Sequence, residues 1–238
     1  MLVESYPYFL LDHLGLPDLN GVEIDEYAQE EVAIFAPKCL NAPIPLDPRQ
    51  YLRNRLGCRV QNRRLSMDQK YWGMSCFRST AVDFFDNGYP IREQVKGGSV
   101  FLERGLLSSP ALCRAALSHE AGHMFLHQQC FQSCSLENLD PLPSLQALQA
   151  DPDLEKRNRK MEDQANRFGR GLLMNRKSFQ DEFDKLIITA RRNYGPKDTA
   201  SQYYFLVASL APLYSVPMAF VRNRMKDLYL TDSQGNLV

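Results

Sequence analysis

Apolar positions recur at helical spacing towards both ends of the chain and at shorter intervals between. Ile24, Tyr27, Ala28, Val32 and Phe35 fall on one helical face ahead of Pro37, which predicts a helix over 24–35. From Cys58 to Glu103 the apolar runs shorten to CRV, MSCF, AVDFF and SVFLE, separated by polar, Gly- or Pro-containing stretches such as DNGYP and KGG. A small, mostly antiparallel sheet follows from that pattern. Ser109 ahead of Pro110 is a helix start, because a serine can cap free N–H groups and proline at the first position has none to waste. The helix should run from Pro110 to beyond His127. Three prolines and no sustained apolar stripe in LENLDPLPSLQALQADPD predict a loop-like insertion near 135–155, after which a helix resumes near Glu155 and continues to about Met174. Tyr203, Leu206, Val207 and Leu210 predict a further helix over 199–213, closed by Pro212. Beyond Pro217, Met218, Val221, Met225 and Leu228 form one stripe on a helix that also carries Arg222, Arg224 and Lys226. The fold class read from this order is α+β, a small twisted sheet packed on the Pro110 helix with a mainly helical C-terminal half.

Composition narrows the partners. The chain has 238 residues with 28 basic and 28 acidic side chains, so no overall positive field draws it onto phosphate backbones or anionic lipid. Direct nucleic-acid binding and membrane association are not expected. No apolar run approaches the roughly 20 residues of a bilayer span, and MLVESYPYFLLDHLGL lacks a basic leader region. A cytoplasmic location is the expectation, with the six cysteines as free thiols rather than a disulfide framework.

Chemistry is concentrated in one place. Of four histidines, His119, His123 and His127 lie within nine residues. His119-Glu120-Ala121-Gly122-His123 is an HExxH sequence, and on a helix its two histidines sit about 40° apart around the axis, so both imidazoles reach one metal ion. Glu120 is rotated by about 100° and falls outside the ligand pair, placed instead as a base towards a metal-coordinated water. In MEDQANRFGRGLLM, Glu162, Ala165, Asn166 and Gly169 share one narrow face whose small members let it pack against the HExxH helix and bring Glu162 to the metal. Asn166, one turn on, can hydrogen-bond a ligand histidine. Two histidines and one glutamate leave a fourth zinc position open, the arrangement of a catalytic site.

RAALSHEAGHMFLH followed by EDQANRFGRGLLM resembles the ImmA/IrrE-type metallopeptidases, which carry HExGH on one helix and E-x-x-A-N-x-F-A-x-x-L-L-M on a later one. Gly122, Glu162, Ala165, Asn166, Phe168, Leu172, Leu173 and Met174 match. IPLDPRQYLRNRLGCRV and GGSVFLERGLL are similar to the family's opening and to its strand before the active-site helix, and YSVPMAFVRNRMKDLYL to its closing helix-turn-helix-like segment. Gly169 stands where the family often has alanine and Asn175 where it often has proline, and 39 residues separate His123 from Glu162, longer than the family pattern. The resemblance implies one zinc ion per chain on His119, His123 and Glu162, with Glu120 as general base and His127 and Asn166 behind the ligands. The corresponding division is an N-terminal helical arm (1–45), a metallopeptidase domain (46–194) and a helical C-terminal unit (195–238).

Other readings of the same residues stay open. Glu137, Asp140 and Glu155 are further acids for the third ligand, though none stands in an A-N-x-F context. His127, Cys130 and Cys134 would share the HExxH face, as a second metal or redox site or, more simply, as buried core. KRNRK with Arg167, Arg170, Arg176 and Lys177 is either an attractor for acidic substrate or a solvated helix face. The oxyanion partner is unassigned among His13 and eleven tyrosines. The strand Ser99–Glu103 is expected to form a sheet edge for an extended substrate.

Three functions follow. The first is a zinc endopeptidase acting on a protein substrate, by resemblance a DNA-binding transcriptional repressor. The second is a non-proteolytic regulator that keeps the metal fold and sequesters a partner. The third makes Arg222, Arg224 and Lys226 a DNA-reading helix.

Overall fold

The computed structural model describes residues 7–132, 151–232 and 237–238. Helix α1 (Gly21–Phe35) opens on a capping box in which Asn20 accepts the N–H groups of Val22 and Glu23 while Glu23 accepts that of Asn20. A short helix, α2 (Pro48–Gln50), continues into a π-helical turn over Tyr51–Arg55. The strands are β1 (Arg59–Arg63), β2 (Gly73–Cys76), β3 (Thr80–Asp86), β4 (Tyr89–Val95) and β5 (Ser99–Glu103). Helices α3 (Pro110–Gln132), α4 (Pro152–Leu173), α5 (Arg176–Tyr194), α6 (Thr199–Tyr214) and α7 (Met218–Asp227) complete the α+β fold and its helical C-terminal half.

Two elements escape the apolar pattern as read above. Helix α5 buries Phe179, Phe183 and Ala190 on one face, and its heavily charged remainder hides that short stripe. Strand β4 looks like a separator because it holds Pro90 and charged residues. Among the described residues it pairs only with β3, and an unshared edge tolerates a residue without an N–H. Helix α4 starts at Pro152, before the expected point, because Asp151 accepts the N–H groups of Asp153 and Leu154 and proline fits the first helical position. The predicted insertion lies mostly outside the described residues.

The strands form two sheets, not one. β5 runs between β1, to which it is parallel, and β2, to which it is antiparallel. β3 and β4 form a separate hairpin through Asn87 and Gly88, both at positive φ (48° and 88°). β5 is therefore the central strand, which corrects the expectation that Ser99–Glu103 lies at an edge. All five of its residues are buried, and its unbroken apolar run is the pattern of a strand covered on both faces. The edge on the α3 side is β2, whose outer side has no strand partner among the described residues.

One core joins α1 and the helices α3 to α7. Val32, Leu117, Phe125, Phe168, Phe179, Leu206, Val221 and Met225 belong to a single buried cluster, so the C-terminal helices share it with the HExxH helix. A second cluster, with Met74, Cys76, Phe84 and Phe101, lies between sheet and hairpin. α6 and α7 meet at 107° after Ser215 takes the left-handed conformation (φ 51°). No single helix among the described residues is long and apolar enough to cross a membrane.

Candidate metal centre

The centre is built where α3 and α4 run antiparallel at backbone contact. A Cβ added at Gly122 would lie 2.5 Å from the Ala165 carbonyl oxygen, and one at Gly169 would lie 2.7 Å from that of Ser118. Only glycine permits this approach, and it brings the Glu162 face of α4 over the two histidines. His119 Nε2 and His123 Nε2 are 3.0 Å apart. Glu162 Oε2 is 3.2 Å from the former and its Oε1 3.3 Å from the latter. Ligand atoms of all three residues lie within 4.8 Å of one another, so the group can hold a metal ion. The Glu162 side chain is 45% exposed while that of His123 is 10% exposed, so the cluster is backed by protein and reached from the Glu162 side.

The electrostatics suit a cation. Burial disfavours the charged form of Glu162, but the two imidazoles, when they carry protons on the nitrogens that face it, hold its carboxyl well below the usual carboxylate range. Burial also works against a charged His119, yet Glu162 and Glu120 lift its pKa above the ordinary histidine value. A neutral pair of imidazoles facing a carboxylate is a set of lone pairs aimed at one point.

Behind this group stand the two residues singled out from sequence and two that were not. Asn166 Oδ1 lies 3.1 Å from His119 Nδ1. His127 Nδ1 lies 3.1 Å from His123 Nδ1, and its Nε2 lies 3.1 Å from Gln164 Oε1. Gln164 in turn donates from Nε2 to the Pro17 carbonyl at 2.8 Å. Complete burial and the nearby His123 push the His127 pKa down to about 3, so its ring is neutral at ordinary pH. Gln164 gave no sequence signal beyond its position in the EDQAN run.

Glu120 leaves the ligand cluster and turns to the sheet. It is buried, and Ser75 Oγ donates to its Oε2 at 2.6 Å. Gly73 faces the same carboxylate, and any β-carbon there would collide with it. Strand β2 therefore walls in Glu120, a role for Ser75 and Gly73 that their sequence context did not signal.

The remaining predicted residues go elsewhere. Glu155 pairs with Arg159 at 2.6 Å on an exposed turn of α4. Glu137, Asp140 and Cys134 lie outside the described residues. Cys130 is core, packed with Leu16, Phe131 and Met161, and burial pushes its thiol up to about 11. KRNRK is part solvated face and part fastener, since Arg157 and Lys160 hold the N-terminal loop while Arg159 is exposed. Arg224 is fully buried against Asp25, which removes it from any exposed basic face of α7. His13 is exposed on the N-terminal loop. The chain matches no protein-family model and no curated protein.

Proposed function

We propose that the chain is a zinc-dependent endopeptidase with His119, His123 and Glu162 as ligands and Glu120 as general base. The observation that carries the reading is the division of labour at one point in space. Three ligand atoms converge, while a second acid, one residue from the first ligand, is held off them against a strand with no further strand partner among the described residues. Two nitrogens and one carboxylate oxygen with an open side are a donor set for catalytic zinc. When bound, zinc supplies Lewis acidity to a scissile carbonyl and lowers the pKa of water. Glu120 takes a proton from the attacking water and delivers it to the departing amine nitrogen. Ser75 fixes the carboxylate rotamer through Oε2, and the missing side chain of Gly73 leaves room at Oε1 for that transfer.

The outer edge of β2 supplies the track for substrate. Glu103 N–H donates to the Trp72 carbonyl at 2.9 Å, and antiparallel ladders alternate, so the backbone groups of Gly73 and Ser75 point away from β5. An extended peptide pairing there runs past Glu120. The resemblance of the two metal helices to ImmA/IrrE-type peptidases supports a protein substrate such as a transcriptional repressor.

Elemental analysis should find about one zinc per wild-type chain and per Glu120→Gln chain. A mixed library of quenched fluorogenic peptides should be cleaved by wild type, with the rate abolished by chelator and restored by zinc. Glu120→Gln should lower it about 10²- to 10⁴-fold. Zinc-loaded wild type that cleaves no peptide and binds a repressor stoichiometrically would overturn the peptidase reading in favour of sequestration.

A further inference from the structure

The segment Pro7–Asn20 is pinned to both metal-bearing helices. Gln129 of α3 accepts the Phe9 N–H at 2.8 Å and donates to the Phe9 carbonyl at 3.0 Å. On α4, Arg157 donates to the Leu14 carbonyl at 2.9 Å and Lys160 pairs with Asp12 at 2.6 Å. Asp12 also accepts the N–H groups of Leu14 and Leu16, folding the loop on itself, and Leu16 is fully buried against Cys130, Phe131 and Met161. At its end, the Pro17 carbonyl meets Gln164.

We propose that this loop is part of the metal centre, because Pro17, through Gln164 and His127, fixes the proton of His123 on Nδ1 and so keeps its Nε2 lone pair bare for the metal. A proline carbonyl only accepts, so the Gln164 amide must turn its NH₂ to Pro17 and its Oε1 to His127. Oε1 only accepts, so the proton of His127 sits on Nε2. A neutral imidazole has one N–H, which leaves His127 Nδ1 as an acceptor. That atom faces His123 Nδ1, and two bare nitrogens would repel, so His123 carries its proton there and donates. Its Nε2 is then bare, and at 3.0 Å it accepts from His119 Nε2 until a metal ion takes the place of that proton. Gln164 and His127 are positioning residues, and the loop anchors them.

The coupling is reciprocal by thermodynamic necessity: a loop that favours the metal-ready tautomer is itself held by bound metal. The inference rests on the metal-centre part of the functional reading and not on peptide cleavage.

The test is two-bond ¹H–¹⁵N correlation of the metal-free, ¹⁵N-histidine-labelled chain at pH 8, where only four histidines contribute. The expected pattern is Nδ1–H for His123 and Nε2–H for His127, a tautomer assignment that a merely space-filling role would not set. Gln164→Leu should scramble it and weaken zinc, measured by chelator competition, about 10- to 100-fold. Gln129→Ala, which frees the loop without touching the relay, should weaken zinc in the same direction by less. His123 found as Nε2–H in the wild type, or Gln164→Leu binding zinc as tightly as wild type, overturns the proposal. If Gln164→Leu does not fold, the wild-type spectrum decides alone. A wild type that takes no zinc sinks the metal reading separately, since the tautomers are read without metal.

Discussion

Helix α4 carries a polar cluster on each of two flanks, one against α3 and one against α1 and α7. The first gathers His119, His123 and Glu162, whose facing atoms are all lone-pair bearers once the imidazoles are neutral. The second gathers Asp25 and Asp227 with Arg167, Arg170, Arg176 and Arg224. Arg167 Nη2 lies 2.8 Å from Asp25 Oδ2, and Arg170 holds Asp227 with two bonds of 2.6 and 2.9 Å. Asp25 and Arg224 both have side chains at 0% exposure. One cluster pairs its opposite charges internally and ties four helices together. The other is complete only when a cation or a proton enters it. Burial alone therefore does not distinguish a site from a strut, whereas the sign and direction of the buried groups do.

The sharpest way to break that contrast is to take one partner from the internally paired cluster. Arg224→Ala takes from Asp25 its fully buried partner, leaving Arg167 as the close cation on the other oxygen, and also leaves the Met174 carbonyl without its donor. The expected loss is about 3–5 kcal/mol in chemical denaturation. Zinc content per folded chain should stay at the wild-type level. A variant that melts like wild type, or one that folds but no longer takes zinc, would show that the two clusters are not separable as argued.

A subtler cut uses one added methyl on each flank. Gly122→Ala drives a β-carbon into the Ala165 backbone, and Gly171→Ala drives one to 2.9 Å from the Ala28 β-carbon. Each should cost about 1–3 kcal/mol by overpacking. Only the first should also weaken zinc, because relief there means moving α4, and Glu162 with it, away from α3. Equal zinc affinity in both variants would show that the α3–α4 spacing does not set the ligand geometry.

The two flanks also differ in how legible they were. HExxH and the Glu162, Ala165, Asn166, Gly169 face state their geometry in residue spacing alone, because both pieces lie on regular helices whose angular arithmetic is fixed. Asp25 and Arg224 are 199 residues apart and belong to two helices whose contact no local pattern announces. The same limit hid Ser75 and Gln164. Each acts through a partner on another element, and spacing along one helix carries no information about that partner. Strand β5 differs again, because Val100, Phe101 and Leu102 follow one another without a polar break, a pattern that suits a strand covered on both faces better than an edge.

The smallest effect is one of pH, and it separates the metal-free from the metal-loaded chain. In the metal-free chain Glu162 has a depressed pKa, so its contribution is present above its ordinary value of 4.5 and is lost as pH falls through the folded-state value. His119 has a raised pKa, so its contribution is present below 6.5 and is lost as pH rises through its folded-state value. Between those limits the proton itself completes the cluster. Above 6.5 the metal-free chain should lose stability, by under about 1 kcal/mol because Glu162 is half exposed and screened. The loaded chain gains over the same range, since protons no longer compete for the histidine nitrogens. Melting temperatures with zinc and with chelator should therefore diverge steadily from pH 6 to pH 8. A gap that stays constant or narrows would mean that the proton and the metal do not share one place between α3 and α4.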